Sequence, residues 1–205
     1  MDYNKLPAPE RLQKTAEAVK ERGINVIVVN TKAEALAKIK EIIPDGAQVM
    51  TGGSSTLTEI GLDDVLISGN HPWKNLKSAI LAEKDPIRQS TLRKQSVLSD
   101  YFLGSVQAIT ESGQMVIFSG TGSQLPAYAF SSSNVVLVAG AQKITPNLDM
   151  ALQRANDYSV PMEDKRMKSI GRGGTMIGKI LIYEREAAFL GRKVTLILVN
   201  EVLGY

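Results

Sequence analysis

The chain contains no cysteine. Disulfides, thiol nucleophiles, thiolate metal sites and cysteine-ligated iron–sulfur clusters are therefore excluded from it, and a redox cofactor of that kind would belong to a partner chain. Aromatic residues make up only 5%, and neither sign of charge prevails: 24 basic against 21 acidic side chains leave a formal net charge of +3. The basic residues are scattered rather than clustered, which speaks against a nucleic-acid partner. The single histidine, His71, sits in the loop sequence NHPW and has no partners in sequence with which to build a triad. No Asp/Glu/His group has metal-ligand spacing, so no tightly held catalytic metal is expected. No apolar run approaches the roughly 20 residues of a spanning helix, and the start MDYNKLPAPERLQK lacks the apolar core of a signal peptide. The expectation is a cytoplasmic chain without a membrane partner.

What is present is ample material for a core. The 205 residues are 43% apolar, enough for one α/β domain over 1–205. An N-terminal helical segment, 1–22, carries Leu12, Thr15, Ala16 and Val19 at helical spacing and stops at Gly23. INVIVVN (24–30) is a β-branched strand of the kind covered on both faces in a parallel sheet. Thr31 and Glu34 form a capping-box pattern before a helix with Leu36, Ile39, Ile42 and Ile43, closed by Pro44. AQVMT (47–51) is the next strand. Alternation of this sort predicts an open, mainly parallel twisted sheet with helices on both faces. Further on, 85–102 reads as a helix started by Asp85 and Pro86. SVQAIT (105–110) and QMVIFS (114–119) read as strands joined by Glu111-Ser112-Gly113, and a short helix is expected around 125–131. NVVLVAG (134–140) is a buried strand, and Pro146 opens a helix. The tail, 169–205, is glycine-rich at first and then carries KILIYE and VTLILVN, expected as a C-terminal strand pair. Such a pair would expose an edge, which suits a homo-oligomer.

Two stretches could carry chemistry. TGGSST (51–56) follows a strand and enters a helix, where free backbone N–H groups and the positive dipole end can receive an anion. Gly52 and Gly53 remove side chains from that approach, while Thr51, Ser54, Ser55 and Thr56 offer hydroxyls. The spacing fits neither the dinucleotide nor the P-loop fingerprint. A glycine turn followed by a helix cap remains the alternative reading. The second stretch joins Glu111 at the 111–113 corner to Ser119, Gly120, Thr121, Gly122 and Ser123. It offers a carboxylate able to act as nucleophile or general base beside a second hydroxyl-and-glycine wall; a plain exposed hairpin is its alternative. Arg172, among glycines, could clamp a carboxylate or phosphate, or belong to a loose surface tail. Glu59 reads as a complement to the helix dipole, and Trp73 as cover for the edge of the core.

The succession TGGSSTLTEIGL, SVQAITESGQMVIFSGTGSQ, NVVLVAGAQKITPNLDMALQRA and LILVNEVLGY resembles the LUD domain, the lactate-utilization family that includes LutC-like proteins. The resemblance runs from about Ala8 to Tyr205. It implies a fold similar to the ribose-phosphate isomerase, glucosamine-phosphate deaminase and CoA-transferase group. In those relatives a loop matching Thr51–Thr56 receives a phosphate or the CoA and acyl moiety, and a glutamate matching Glu111 is the nucleophile of the CoA transferases. It further implies a link to L-lactate oxidation beside iron–sulfur and oxidoreductase partner subunits. Three functions follow: an accessory or regulatory subunit binding a small anionic metabolite (carboxylate, phosphate or CoA ester) between loops 51–56, 111–113 and 119–123; an acyl- or CoA-transferring or sugar-phosphate-handling enzyme using Glu111; or a non-catalytic assembly module.

Overall fold

The computed structural model of the chain describes residues 2–205; the first residue of the expected 1–22 segment lies outside them. Helix α1 (Pro9–Lys20) buries Leu12, Thr15, Ala16 and Val19, the stripe its spacing predicts, and the chain turns at Gly23 with φ of 77°. Strand β1 (Asn25–Val29) follows. The Thr31 side chain then accepts from the Glu34 N–H, while the Glu34 carboxylate accepts from Asn30 N–H rather than from Thr31. This closes the start of α2 (Lys32–Ile42) one residue wider than the reciprocal box. Next come β2 (Gln48–Thr51), α3 (Ser55–Glu59), α4 (Leu62–Ser68), β3 (Lys74–Asn75), α5 (Leu76–Ala82) and α6 (Pro86–Gln95). The second half holds β4 (Tyr101–Gly104), β5 (Ala108–Thr110), β6 (Met115–Ser119), β7 (Asn134–Gly140), β8 (Ile144–Thr145), α7 (Leu148–Arg154), α8 (Val160–Ser169), β9 (Lys179–Tyr183) and β10 (Lys193–Val199).

Six strands form one sheet in the order β1-β10-β7-β4-β2-β3, and each pair is parallel. This is the open parallel α/β sheet the alternation predicts. Alternate residues of its central strands enter different cores. Val135, Leu137, Leu196 and Leu198 pack with α1 and the second sheet, whereas Val136, Val138, Ile197 and Val199 pack with α2, α3 and α4. Both faces are therefore covered, as near-continuous apolar strands require. The second sheet, β8-β5-β6-β9, is mixed: β5 runs antiparallel to β6 and parallel to β8, and β6 runs antiparallel to β9. Its outer face carries Ala108, Val116 and Phe118 against Ala151 and Ala155 at the end of α7. No helix among the described residues is long and apolar enough to cross a membrane.

Four expectations need correction. The run 85–102 is not one helix: α6 stops at Gln95, a 3-10 turn spans Ser96–Leu98, and Tyr101–Gly104 is strand β4 inside the parallel sheet. The expected C-terminal strand pair exists as two strands that do not pair. β9 edges the mixed sheet beside β6, and β10 lies at the heart of the other sheet between β1 and β7. Burial explains the split, because Val194–Val199 are buried without interruption whereas Lys179 and Ile180 of β9 are exposed. The edge-exposure reason for a homo-oligomer accordingly does not apply to β10. Last, the helix expected from Pro146 begins at Leu148 with Asn147 as its cap, and the one around 125–131 is a π-turn over Ala127–Ser131.

Candidate functional site

Parallel pairing delivers the carboxyl ends of β2, β4 and β7 to one edge. Thr51 sits beside Leu103, and Gly104 beside Leu137. The residues just beyond those ends then meet: Thr56 after β2, Ser105 after β4 and Lys143 after β7. The Lys143 Nζ lies 2.9 Å from Thr56 Oγ1, 3.1 Å from Ser105 Oγ and 3.0 Å from the Val106 carbonyl. Its side chain is 1% exposed and has no carboxylate among its partners. Burial, with the nearby Arg154 charge adding to it and Glu59 opposing, brings the ammonium pKa down to about 7. Ser105 Oγ in turn donates to Thr56 Oγ1 at 3.2 Å, so of the two hydroxyls only that of Thr56 keeps its hydrogen free to point elsewhere.

They border a cleft of about 490 Å³. Every residue from Thr51 to Thr56 lines it, as do Gly120, Thr121, Ser123 and Arg172. The two hydroxyl-and-glycine loops are thus brought together. At Gly52 an added Cβ would push the Gln124 amide aside; at Gly53 it would meet nothing within 4 Å. Gly122 does not line the cleft; its φ of 81° turns the chain, and an added Cβ would collide with Lys179. Ser54 caps α3 by accepting from Leu57 N–H at 3.3 Å, so the helix-cap reading of the loop holds. α3 spans only five residues, too few for much of a dipole.

The field in the cleft comes instead from side chains of which the sequence reading singled out only Arg172. Lys77, Arg93, Lys143, Arg166 and Arg172 line it against one carboxylate, Glu163. Lys77 donates to Thr51 Oγ1 at 3.1 Å. Arg166 holds Glu163 in a side-on fork, with Nε and Nη2 each 2.7 Å from a carboxylate oxygen, and the Tyr205 hydroxyl donates to the same carboxylate. Burial works to raise the Glu163 pKa, but the Arg166 and Tyr205 hydrogen bonds outweigh it and hold the carboxyl below its usual range. Arg93 and Arg172 have no ion-pair partner among the described residues. Tyr205 also brings the C-terminal tail to the rim, where Glu59 accepts from Gly204 N–H at 2.8 Å and Gln142 donates to the Leu203 carbonyl at 2.9 Å. Glu59 therefore anchors the tail rather than merely facing a dipole. A lysine just beyond a wholly apolar strand was the available signal for Lys143.

Glu111 stands apart. It is ion-paired to Arg11 Nε at 2.7 Å with its side chain 33% exposed, and it does not line the cleft. Gly113 packs on the backbone of α1 at Ala18, and Arg22 donates to the Ser112 carbonyl at 2.7 Å. The corner and the 119–123 loop lie at opposite ends of β6, and an extended run from 113 to 120 covers on the order of 23 Å. They cannot be two walls of one small pocket. Trp73 closes the core edge, 7% exposed and donating from Nε1 to Ile43, with His71 stacked on it at 5.4 Å.

The LUD domain family matches the chain over residues 12–199. A solved structure of a DUF162 family protein from Deinococcus radiodurans aligns with a TM-score of 0.57 at 11% identity, covering 96% of this chain and 100% of that one. No curated protein matches the chain.

Proposed function

The chain belongs to the LUD domain family, and from that premise we propose that it is a lactate-utilization-related protein whose cleft binds a small anionic metabolite. Its role is that of an accessory or regulatory subunit of an organic-acid oxidising system, beside partners that carry the redox cofactors. The observation that carries this reading is the imbalance of charge: five cationic side chains and one carboxylate border the hydroxyl-rich loops 51–56 and 119–123. A carboxylate or phosphate brings the missing negative charge, takes a hydrogen bond from the Thr56 hydroxyl, whose oxygen Lys143 and Ser105 occupy, and meets Arg93 and Arg172 at the mouth. Lys143 is a positioning residue in this scheme.

Thermal-shift titration with lactate, pyruvate, inorganic phosphate and CoA tests the proposal. A true ligand at one hundred times its dissociation constant adds about 2.7 kcal/mol of stability, and Gly53→Val, which fills the cleft without meeting any neighbour, removes the effect. A flat response to all four overturns the anion reading and leaves an assembly module. The acyl- or CoA-transfer alternative depends on Glu111, whose ion pair with Arg11 outside the cleft gives it no access to an anion held there.

A further inference from the structure

Arg154 raises a separate question. It ends α7, where a π-turn over Ala155–Ser159 passes the chain into α8, a type of distortion that recurs at functional sites. The side chain is 1% exposed. Nη1 donates to the Gln107 carbonyl at 2.6 Å and to Ser159 Oγ at 3.0 Å, both on residues of the main cleft. Nε and Nη2 find no acceptor among the described residues, and no carboxylate pairs with the guanidinium. Cζ lies 5.2 Å from the Tyr158 ring centroid and 5.9 Å from that of Tyr3. Aromatic faces soften the charge but accept little as hydrogen-bond partners. A buried cation with two idle donors is costly unless something completes it.

The unfilled edge has a definite shape. Nε and Nη2 form the side-on fork that receives a carboxylate, the same edge with which Arg166 grips Glu163 in this protein. Arg154 lines a second cavity of about 480 Å³, distinct from the cleft, a size that takes a drug-sized organic molecule. Its other walls are largely apolar, with Leu6, Pro7 and Ala8 of the N-terminal segment facing Ile144, Pro146 and Met150. Lys5 adds positive charge, Arg11 is engaged by Glu111, and Asp2 is the one acidic residue.

We propose that this cavity is a second binding site, for a monocarboxylate with an apolar body. The carboxylate takes the open fork of Arg154 by moving aside the Tyr3 side chain, which is held by a 3.3 Å hydrogen bond to Asp157 and by stacking on Tyr158 at 5.3 Å, and the body lies between Leu6 and Met150. The site is a cavity separate from the cleft and does not rest on the function proposed for that cleft. Calorimetric titration with 4-phenylbutanoate at fixed ionic strength tests it, with the uncharged 4-phenylbutanamide as control. Saturable one-to-one binding of the acid is expected, at least tenfold tighter than the amide. Met150→Trp fills the cavity and abolishes binding, Arg154→Met weakens it at least tenfold, and Gly53→Val leaves it intact. No saturable binding of the acid, equal binding of acid and amide, or undiminished binding by Met150→Trp overturns the proposal. If Arg154→Met does not fold, the acid–amide ratio and Met150→Trp still decide.

Discussion

The loops that bracket β6 look alike in sequence, each a short run of glycine and hydroxyl residues at a strand end, and they have opposite fates. Ser119–Ser123 opens on the cationic cleft beside Thr51–Thr56, although 62 residues of chain separate the two stretches. Glu111–Gly113, only a strand away, is clasped by Arg11 of α1 and by Arg22 in the turn after it. Topology accounts for the contrast. Parallel strands bring Thr56, Ser105 and Lys143 to one edge whatever their distance in sequence, while the antiparallel pairing of β6 sends its two corners to opposite ends, so that the one after β6 reaches the cleft and the one before it does not. Residues that cooperate in a parallel sheet are therefore to be sought after different strands, not within one hairpin.

Perturbing the two corners separately sharpens this contrast. Gly53→Val places a branched side chain in open space, so loss of anion binding with an almost unchanged melting temperature is expected, checked by calorimetry and thermal unfolding. Lys143→Met should follow, weakening binding tenfold or more, about 1.5–3 kcal/mol for a lost charge-assisted hydrogen bond. The pH profile comes next. With the buried ammonium losing its proton at about pH 7, pyruvate affinity should fall as pH rises from 6 to 9, and Lys143→Met should be flat across that range. Stability moves the other way. The unfolded chain keeps this proton up to about pH 10.4, so between the two values it binds more protons than the folded chain. Wild type should then gain stability relative to Lys143→Met as pH rises. The smallest effect belongs to the other corner: Glu111→Gln breaks a half-exposed ion pair worth roughly 0.2–1 kcal/mol and should leave anion affinity untouched. A large loss of affinity in Glu111→Gln would break the comparison outright.

Much of the sheet was legible from residues. β1, α2, β2 and β7 announce themselves through β-branched runs and a capped helical stripe, and Thr51–Thr56 is where strand-to-loop logic puts it. β4 escaped because Tyr101–Gly104 is four residues long and continues a helix-like pattern without a glycine or proline break. Its glycine makes sense only in three dimensions, since an added Cβ at Gly104 would occupy the Tyr128 hydroxyl's position. The partners of β10 were illegible for a different reason: Asn25 pairs with Thr195, and no local pattern encodes a neighbour that far along the chain. Lys143 was hidden among 24 basic residues. What singles it out is burial between three strand ends, which composition cannot express.

The central place of β10 also sets a schedule. A ribosome makes β1 and β7 before Lys193–Val199 exists, yet those residues separate β1 from β7 and supply the inner rung of the larger sheet. Until they emerge, β1 has no strand beside it, and Val135–Ala139 lies along a vacant row of backbone donors and acceptors. Pairings so distant in sequence close slowly, and an unfilled row invites strands from other chains. The nascent protein thus depends on its last strand to seal the sheet, and a chaperone that shields β7 during synthesis would raise its yield.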